Sequence, residues 1–282
     1  MTIRPRRSAL YMPASNAKAI DKARTLDCDV VILDLEDAVA PEMKAEARAA
    51  AVAAVAAGGF GRRELVIRTN GLDTPWGADD LAAAAAARPD AILVPKVNDG
   101  ADVATYANAT GAVPLWVMIE TTRSVFRLDE IGAALAKARG GAFVLGTNDL
   151  AKEMGARPGT LRAPFQGMLA MAVAAARAHG LVPLDGVFNG LDDEAGLAEQ
   201  CAQGLEFGFD GKTLIHPRQI GPCNAAFTPD AAAIAWARAI VAAFAEPDNA
   251  QKGAIRVDGK MVERLHLAQA ERDLAVAAWA EG

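Results

Sequence analysis

Serine, cysteine, histidine and aromatic residues are scarce in this 282-residue chain, and each scarcity removes a class of chemistry. The serines are Ser8, Ser15 and Ser124, and none stands in a GxSxG, so the strained elbow of a serine hydrolase is absent. The three cysteines, Cys28, Cys201 and Cys223, form no CxxC and fit no zinc spacing. They read as reduced thiols of a cytoplasmic protein. No GxGxxG follows the first candidate strand and no Walker A loop occurs, so the usual glycine-rich phosphate cradles are missing. Aromatics make up 5%, too few for the stacking platform of a single-strand nucleic-acid binder. Long apolar runs are lacking as well. Residues 47–57 are apolar but mostly alanine, and a bilayer span needs about 20 residues. The opening MTIRPRRS is basic, yet no apolar run of signal-peptide type follows it.

Positive charge is also in deficit. The net charge is −6 and the pI about 5.2, which argues against nucleic acid or an anionic membrane as partner. An anionic substrate would then need a local positive group or a bound cation.

What the chain does have is apolar residues at 52%, much of this alanine, and a regular alternation. Short β-branched runs fall at 8–13, 30–36, 65–70, 91–96, 115–120, 142–146, 183–188 and 209–215. Helical stretches lie between them, among them 16–26, 41–57, 76–87, 124–139, 161–179 and 192–206. Strand–helix alternation implies a parallel sheet with helical crossovers. Runs 30–33 and 91–94 are apolar without alternation, as strands covered on both faces should be. Eight such units predict an α/β fold of the (β/α)₈ TIM-barrel type over residues 1–228, and the length suits one barrel. An open doubly wound sheet is the competing reading. Residues 229–282 exceed what a barrel needs. They predict a C-terminal helical extension, with helices at 230–245 and 262–280 and a turn at Asp258-Gly259 between them.

Barrels of this kind place chemistry at the C-terminal ends of their strands. Here those ends read Asp34-Leu35-Glu36-Asp37, Arg68-Thr69-Asn70, Pro95-Lys96, Glu120-Thr121-Thr122 and Gly146-Thr147-Asn148-Asp149. Carboxylates gathered with one arginine and one lysine suggest a hard cation bound through oxygens. Such a cation can chelate and polarise a hydroxy or oxo acid, and a nearby arginine can hold a carboxylate or an enolate oxygen. Each residue also has a plain reading. Glu36 and Asp37 could cap a helix near Pro41, and Asp149 could cap one at 151–154. Arg68 could be a structural ion-pair partner, and Lys96 a solvated strand-end lysine. His179, before Gly180, reads as a helix C-cap, and His266 as surface or packing.

The segments RSALYMP, VVILDLEDAV, IRTNGLDTPWG, ILVPK, MIET, LGTNDLAKEMG, GFDGKTLIHPRQI and VDGKMVE resemble, in order and spacing, the HpcH/HpaI aldolase and citrate lyase β-subunit superfamily. The likeness runs over nearly the whole chain, and GTNDLAKEMG and VDGKMVERLH are most similar to its (3S)-malyl-CoA thioesterases, beside malyl- and citramalyl-CoA lyases. The resemblance implies a Mg²⁺-dependent enzyme acting on a hydroxy-dicarboxylyl coenzyme A thioester, assembled as a homotrimer or hexamer. It implies Glu120 and Asp149 as metal ligands and Arg68 as the residue that binds substrate and steadies a thioester enolate. Glu36 and Asp37 would hold metal-bound waters, and Gly146, Thr147 and Asn148 the free carboxylate of the substrate. Two departures stand out. Pro13-Ala14 replaces a frequent Pro-Gly, and Glu263 takes the place of an interfacial acid/base aspartate.

That resemblance leaves two chemistries open. Retro-Claisen cleavage would give an acyl-CoA and a 2-oxo acid, with Glu263 returning the proton. Thioester hydrolysis would use Glu263 as general base. Alternatives of another class are a Schiff-base aldolase on Lys96 and a β-subunit working with an acyl carrier protein. Lys22 and Arg7 are candidates for the nucleotide end of coenzyme A.

Overall fold

The computed structural model describes residues 4–281. Eight parallel strands close into a barrel in sequence order, β1 pairing with both β2 and β8. They are β1 (Ser8–Pro13), β2 (Val30–Asp34), β3 (Glu64–Arg68), β4 (Ala91–Val94), β5 (Leu115–Ile119), β6 (Ala142–Leu145), β7 (Val182–Asp185) and β8 (Gly211–Leu214). Closure decides against the open doubly wound sheet. The crossovers carry α1 (Ala17–Ala23), α2 (Lys44–Ala57), α3 (Gly77–Ala87), α4 (Gly100–Thr110), α5 (Thr122–Val125), α6 (Leu128–Lys137), α7 (Thr147–Met154), α8 (Gln166–Ala178) and α9 (Glu194–Phe207), and α10 (Ile220–Ala226) follows β8.

Alternation along the strands sets which side chains point inward. Ala9, Val30, Ile32, Val66, Leu93, Trp116, Met118, Val144 and Leu184 form one buried cluster, with Tyr11 against it. Continuing that parity by two residues carries Asp34, Arg68 and Glu120 to the C-terminal mouth. The opposite end is sealed by ion pairs. Arg7 forks onto Asp29 at 2.8 and 2.9 Å, and Arg6 reaches Glu64 at 2.6 Å. Arg7 is thus a buried structural residue at the N-terminal rim and is not available to a nucleotide. On the outer face of β7 and β8, wholly buried Asp185 accepts from Lys212 at 2.9 Å and Arg162 at 2.6 Å. Burial alone would raise that carboxyl, but the two cations hold it below its ordinary range.

Most strands stop one or two residues short of the expected limits, because mouth residues spend their hydrogen bonds on loops. Asp34, for one, accepts the N–H groups of Glu36 and Ala38. The helix expected over 124–139 is two helices, since a reciprocal cap between Thr121 and Ser124 closes a single turn first. The stretch 161–179 starts late, because Arg162 has a left-handed backbone at φ 49.

The second compact unit takes in the segment from Ala225 onward together with Arg4 and Pro5. It holds α11 (Ala231–Ala245), a hairpin of β9 (Ala254–Val257) and β10 (Lys260–Glu263), and α12 (Arg264–Glu281). The extension is therefore helix–hairpin–helix. Residues 262 and 263, expected in the last helix, belong to a strand. Asp258 and Gly259 both have positive φ, as a tight two-residue hairpin turn requires. Ile240 and Phe244 pack on Ile255, Val257 and Val262. Among the described residues, no single helix is long and apolar enough to cross a membrane.

Candidate active site

A cavity of about 250 Å³ opens at the barrel mouth, lined by Tyr11, Asp34, Asp37, Arg68, Thr147 and Asp149, among others. Arg68 is its best-anchored cation. Its Nε and Nη2 donate to Asp34 Oδ1 and Oδ2, both at 2.7 Å. Nη1 lies 2.8 Å from Glu36 Oε2 and 3.6 Å from Asp37 Oδ2. The Tyr11 ring packs against the guanidinium at 4.6 Å. A bidentate fork fixes the plane of an arginine and aims its remaining nitrogen. The plain ion-pair reading of Arg68 therefore holds through Asp34, and the same pair presents Nη1 to the mouth. Asp34 has no role in the expected site. Its signal was its place two residues beyond Ile32, on the inward face.

Glu36 is buried beside this arginine. Burial pushes its carboxyl up to about 8, against the pull of Arg68 and with added repulsion from Glu120, Asp37 and Asp34. Asp37 is exposed. Neither caps a helix, because the turn at Pro41–Met43 has Ala40 as its N-cap and no side-chain cap. The loop that carries them is tied down by Lys44, another residue outside the expected site. Its buried Nζ donates to the carbonyls of Leu35 and Glu36 and to Asn70 Oδ1, at 2.7–2.8 Å.

Glu120 follows β5 and is wholly buried. Its Oε1 accepts the Lys96 N–H at 2.8 Å, while its Oε2 has no hydrogen-bond partner. Gly146 makes room for it. A Cβ at position 146 would stand 2.4 Å from Glu120 Cβ and 2.6 Å from Oε2, which no side chain tolerates. Asp149 lies in the first turn of α7, which starts at Thr147, so it is not the cap of a later helix. The Lys96 ammonium stands 2.5 Å from Asp149 Oδ1 and 3.4 Å from Glu120 Oε1. Burial pushes both titrations. It raises the Glu120 carboxyl, opposed by Lys96 and helped by Asp149. It would lower the lysine, but Glu120 and Asp149 outweigh it and hold the amine protonated. A Schiff-base nucleophile needs a desolvated amine without such partners, whereas Lys96 is ion-paired to both carboxylates, which disfavours the Lys96 aldolase. Nor is Lys96 a plainly solvated lysine.

Gly146, Thr147 and Asn148 form the start of α7, whose first N–H groups have no intrahelical partner and favour an anion. No side chain caps this end. The Asn148 amide is exposed and pairs with that of Asn189 at 2.8 Å, so the backbone rather than the Asn148 side chain is free for a ligand. His179 is the C-cap of α8, as expected, and its Nε2 meets Asp129 at 2.9 Å. Glu263 ends β10 in the C-terminal unit, half-buried, and its N–H donates to His266 Nδ1 at 2.9 Å. His266 thus caps that chain turn.

The donors suit a hard divalent cation. Among the described residues no three His, Cys, Asp or Glu side chains form a metal-binding group, and Asp34 and Glu36 are committed to Arg68. Besides exposed Asp37, that leaves Glu120 and Asp149, the former with a buried unpartnered oxygen. That is the donor set Mg²⁺ accepts when waters and substrate fill its other positions.

Comparison with known proteins supplies the family. The sequence profile of the HpcH/HpaI aldolase/citrate lyase family matches residues 7–217. A (3S)-malyl-CoA thioesterase of Cereibacter sphaeroides is 46% identical over 273 residues, spanning 97% of this chain and 95% of that protein. An L-malyl-CoA/beta-methylmalyl-CoA lyase of the same species is 35% identical over 300 residues, 95% and 93% of the two chains. The crystal structure of CitE from Mycobacterium tuberculosis with magnesium, acetoacetate and coenzyme A superposes with a TM-score of 0.77 at 30% identity, over 97% and 98% of the two chains.

Proposed function

The chain belongs to the HpcH/HpaI aldolase/citrate lyase family, and from that footing we propose that it hydrolyses a malyl-type coenzyme A thioester with Mg²⁺ as cofactor. The observation that carries this reading is the 46% identity to a (3S)-malyl-CoA thioesterase along nearly the full length. Glu120 and Asp149 would hold the metal, and Glu36 and Asp37 would hydrogen-bond waters on it. When bound, Mg²⁺ supplies a Lewis acid that anchors the hydroxyl and carboxylate oxygens of the hydroxy acid. The backbone N–H groups of Thr147 and Asn148 would bind the free carboxylate of the malyl unit, the Gly146 N–H being taken by the Ile119 carbonyl at 3.0 Å. Arg68, locked by Asp34, offers Nη1 to the thioester oxygen and stabilises the charge that develops there. Glu263, supplied by a neighbouring subunit of a homotrimer or hexamer, takes the proton of the attacking water. The water oxygen bonds to the thioester carbon, the carbon–sulfur bond breaks, and the departing thiolate is protonated, giving malate and coenzyme A. Cys28, Cys201 and Cys223 are free and buried, in keeping with a reducing, cytoplasmic setting.

A second reading keeps the same groups for carbon–carbon cleavage, and the 35% identity to a malyl-CoA lyase supports it. Arg68 would then hold the enolate oxygen of acetyl-CoA, with glyoxylate as the other product. Incubation with Mg²⁺ and (S)-malyl-CoA, followed by mass spectrometry, separates the two. Coenzyme A and malate without glyoxylate are expected. Acetyl-CoA and glyoxylate would make the enzyme a lyase, and turnover confined to an acyl-carrier thioester would make it a complex-bound subunit. Asp149→Ala is expected to abolish Mg²⁺-dependent turnover, and full activity in that variant would sink the ligand assignment.

A further inference from the structure

Between the two carboxylates proposed as metal ligands stands a charged group to which the chemistry above gives no task. Lys96 follows β4 and its backbone lies in the left-handed region, φ 55, where residues other than glycine and asparagine are uncommon. That conformation lets one residue reach both carboxylates. Its N–H meets Glu120 Oε1 at 2.8 Å, and its Nζ meets Asp149 Oδ1 at 2.5 Å and lies 3.4 Å from Glu120 Oε1.

The contacts are selective by oxygen. Lys96 takes Oε1 of Glu120, while Oε2 is buried and has no partner. It takes Asp149 through Oδ1. The carboxylates come from adjacent strand ends, and one of them is wholly buried. Two like charges placed so close repel, and without a resident cation one must swing away or take up a proton. A lysine ammonium is a compact, rotatable donor on a flexible stem, suited to sit beside both.

We propose that Lys96 is a positioning residue for the divalent cation: it clamps one oxygen of each carboxylate ligand and leaves the other oxygen of each to the ion. The inference rests on Glu120 and Asp149 being the ligands. It assigns Lys96 to the outer shell that fixes ligand orientation before the metal arrives. The opposite idea, an ammonium that fills the cation position and must be expelled, predicts an effect of opposite sign, because removing it would then tighten binding.

The test is isothermal titration of Mg²⁺ into protein stripped with EDTA, for the wild type, Lys96→Asn, Lys96→Gly and Lys96→Arg, with thermal unfolding in EDTA alongside. Asparagine and glycine accept the left-handed backbone and keep the N–H that serves Glu120, and arginine keeps the charge. The Asn and Gly variants are expected to bind Mg²⁺ about 10–100-fold more weakly, with Lys96→Arg recovering part of the loss. Unchanged affinity with a lowered melting temperature would reduce Lys96 to packing and overturn the clamp, and tighter binding would overturn it in favour of competition. In both cases the ligands stand. A wild-type protein that takes up no Mg²⁺ would remove the ligand assignment and the clamp together.

Discussion

Glu36 shows how far a single position can be taken. Its side chain is buried against Arg68, and its carboxyl is raised to about 8 from an ordinary value near 4.5. A raised carboxyl folds best when protonated. Its contribution to stability is complete below the ordinary value and is lost as the pH climbs through 8. A neutral glutamine escapes that loss. In EDTA, Glu36→Gln is therefore expected to gain stability relative to wild type between about pH 4.5 and 8, and to hold a constant margin above that. Urea unfolding at intervals of pH measures it, and a margin that does not change with pH would show that Glu36 is ionised throughout in the folded protein. The sequence made Arg68, Glu36, Glu120 and Asp149 legible because each is polar at a strand end. It left Asp34 and Lys44 without roles because their tasks are relational. Asp34 matters through the fork it offers Arg68, and Lys44 through carbonyls eight and nine residues away. Neither distance can be read from spacing alone.

At the scale of elements, the junction of β6 with α7 concentrates the constraints. Gly146 follows the strand, opens the helix with no side-chain cap, and passes within contact of Glu120. Gly146→Ala adds one carbon where 2.4 Å is available, so Glu120 or the helix start must move. The expected result is destabilisation by about 1–3 kcal/mol, the usual cost of overpacking, with weakened Mg²⁺ uptake measured by titration calorimetry. An unchanged affinity would mean that Glu120 keeps its place by another route. Element boundaries were less legible than element types. Most strands were expected one or two residues too long, because residues such as Glu36 and Glu120, which lie just past β2 and β5, read as continuations of the strands before them. The single turn of α5 and the late start of α8 were hidden for another reason. A Thr121–Ser124 cap and a left-handed Arg162 interrupt a helical composition that reads as continuous.

For the molecule as a whole, the proposed chemistry divides labour between two compact units. Residues 6–224 carry the proposed metal ligands and Arg68, while Glu263 belongs to the unit that takes in the segment from Ala225 onward. If the second unit supplies only the base, damage there should spare metal binding and remove turnover. Phe244 offers the cleanest lesion. It is 4% exposed, packs in the core formed by α11, the hairpin and α12, and lies under the Arg264 guanidinium at 4.9 Å. Truncation to alanine costs a buried aromatic about 3–5 kcal/mol, enough to loosen a small core whose other members are Ala237, Ile240, Ile255, Val257, Val262 and Ala270. The hairpin bearing Glu263 should lose its fixed position. Phe244→Ala is accordingly expected to keep Mg²⁺ affinity within about two-fold of wild type and to lose thioester turnover by at least the 10²-fold typical of a missing general base. Turnover that survives the lesion would place the base within the barrel and leave Glu36, whose carboxyl is raised to about 8, as the group to replace next.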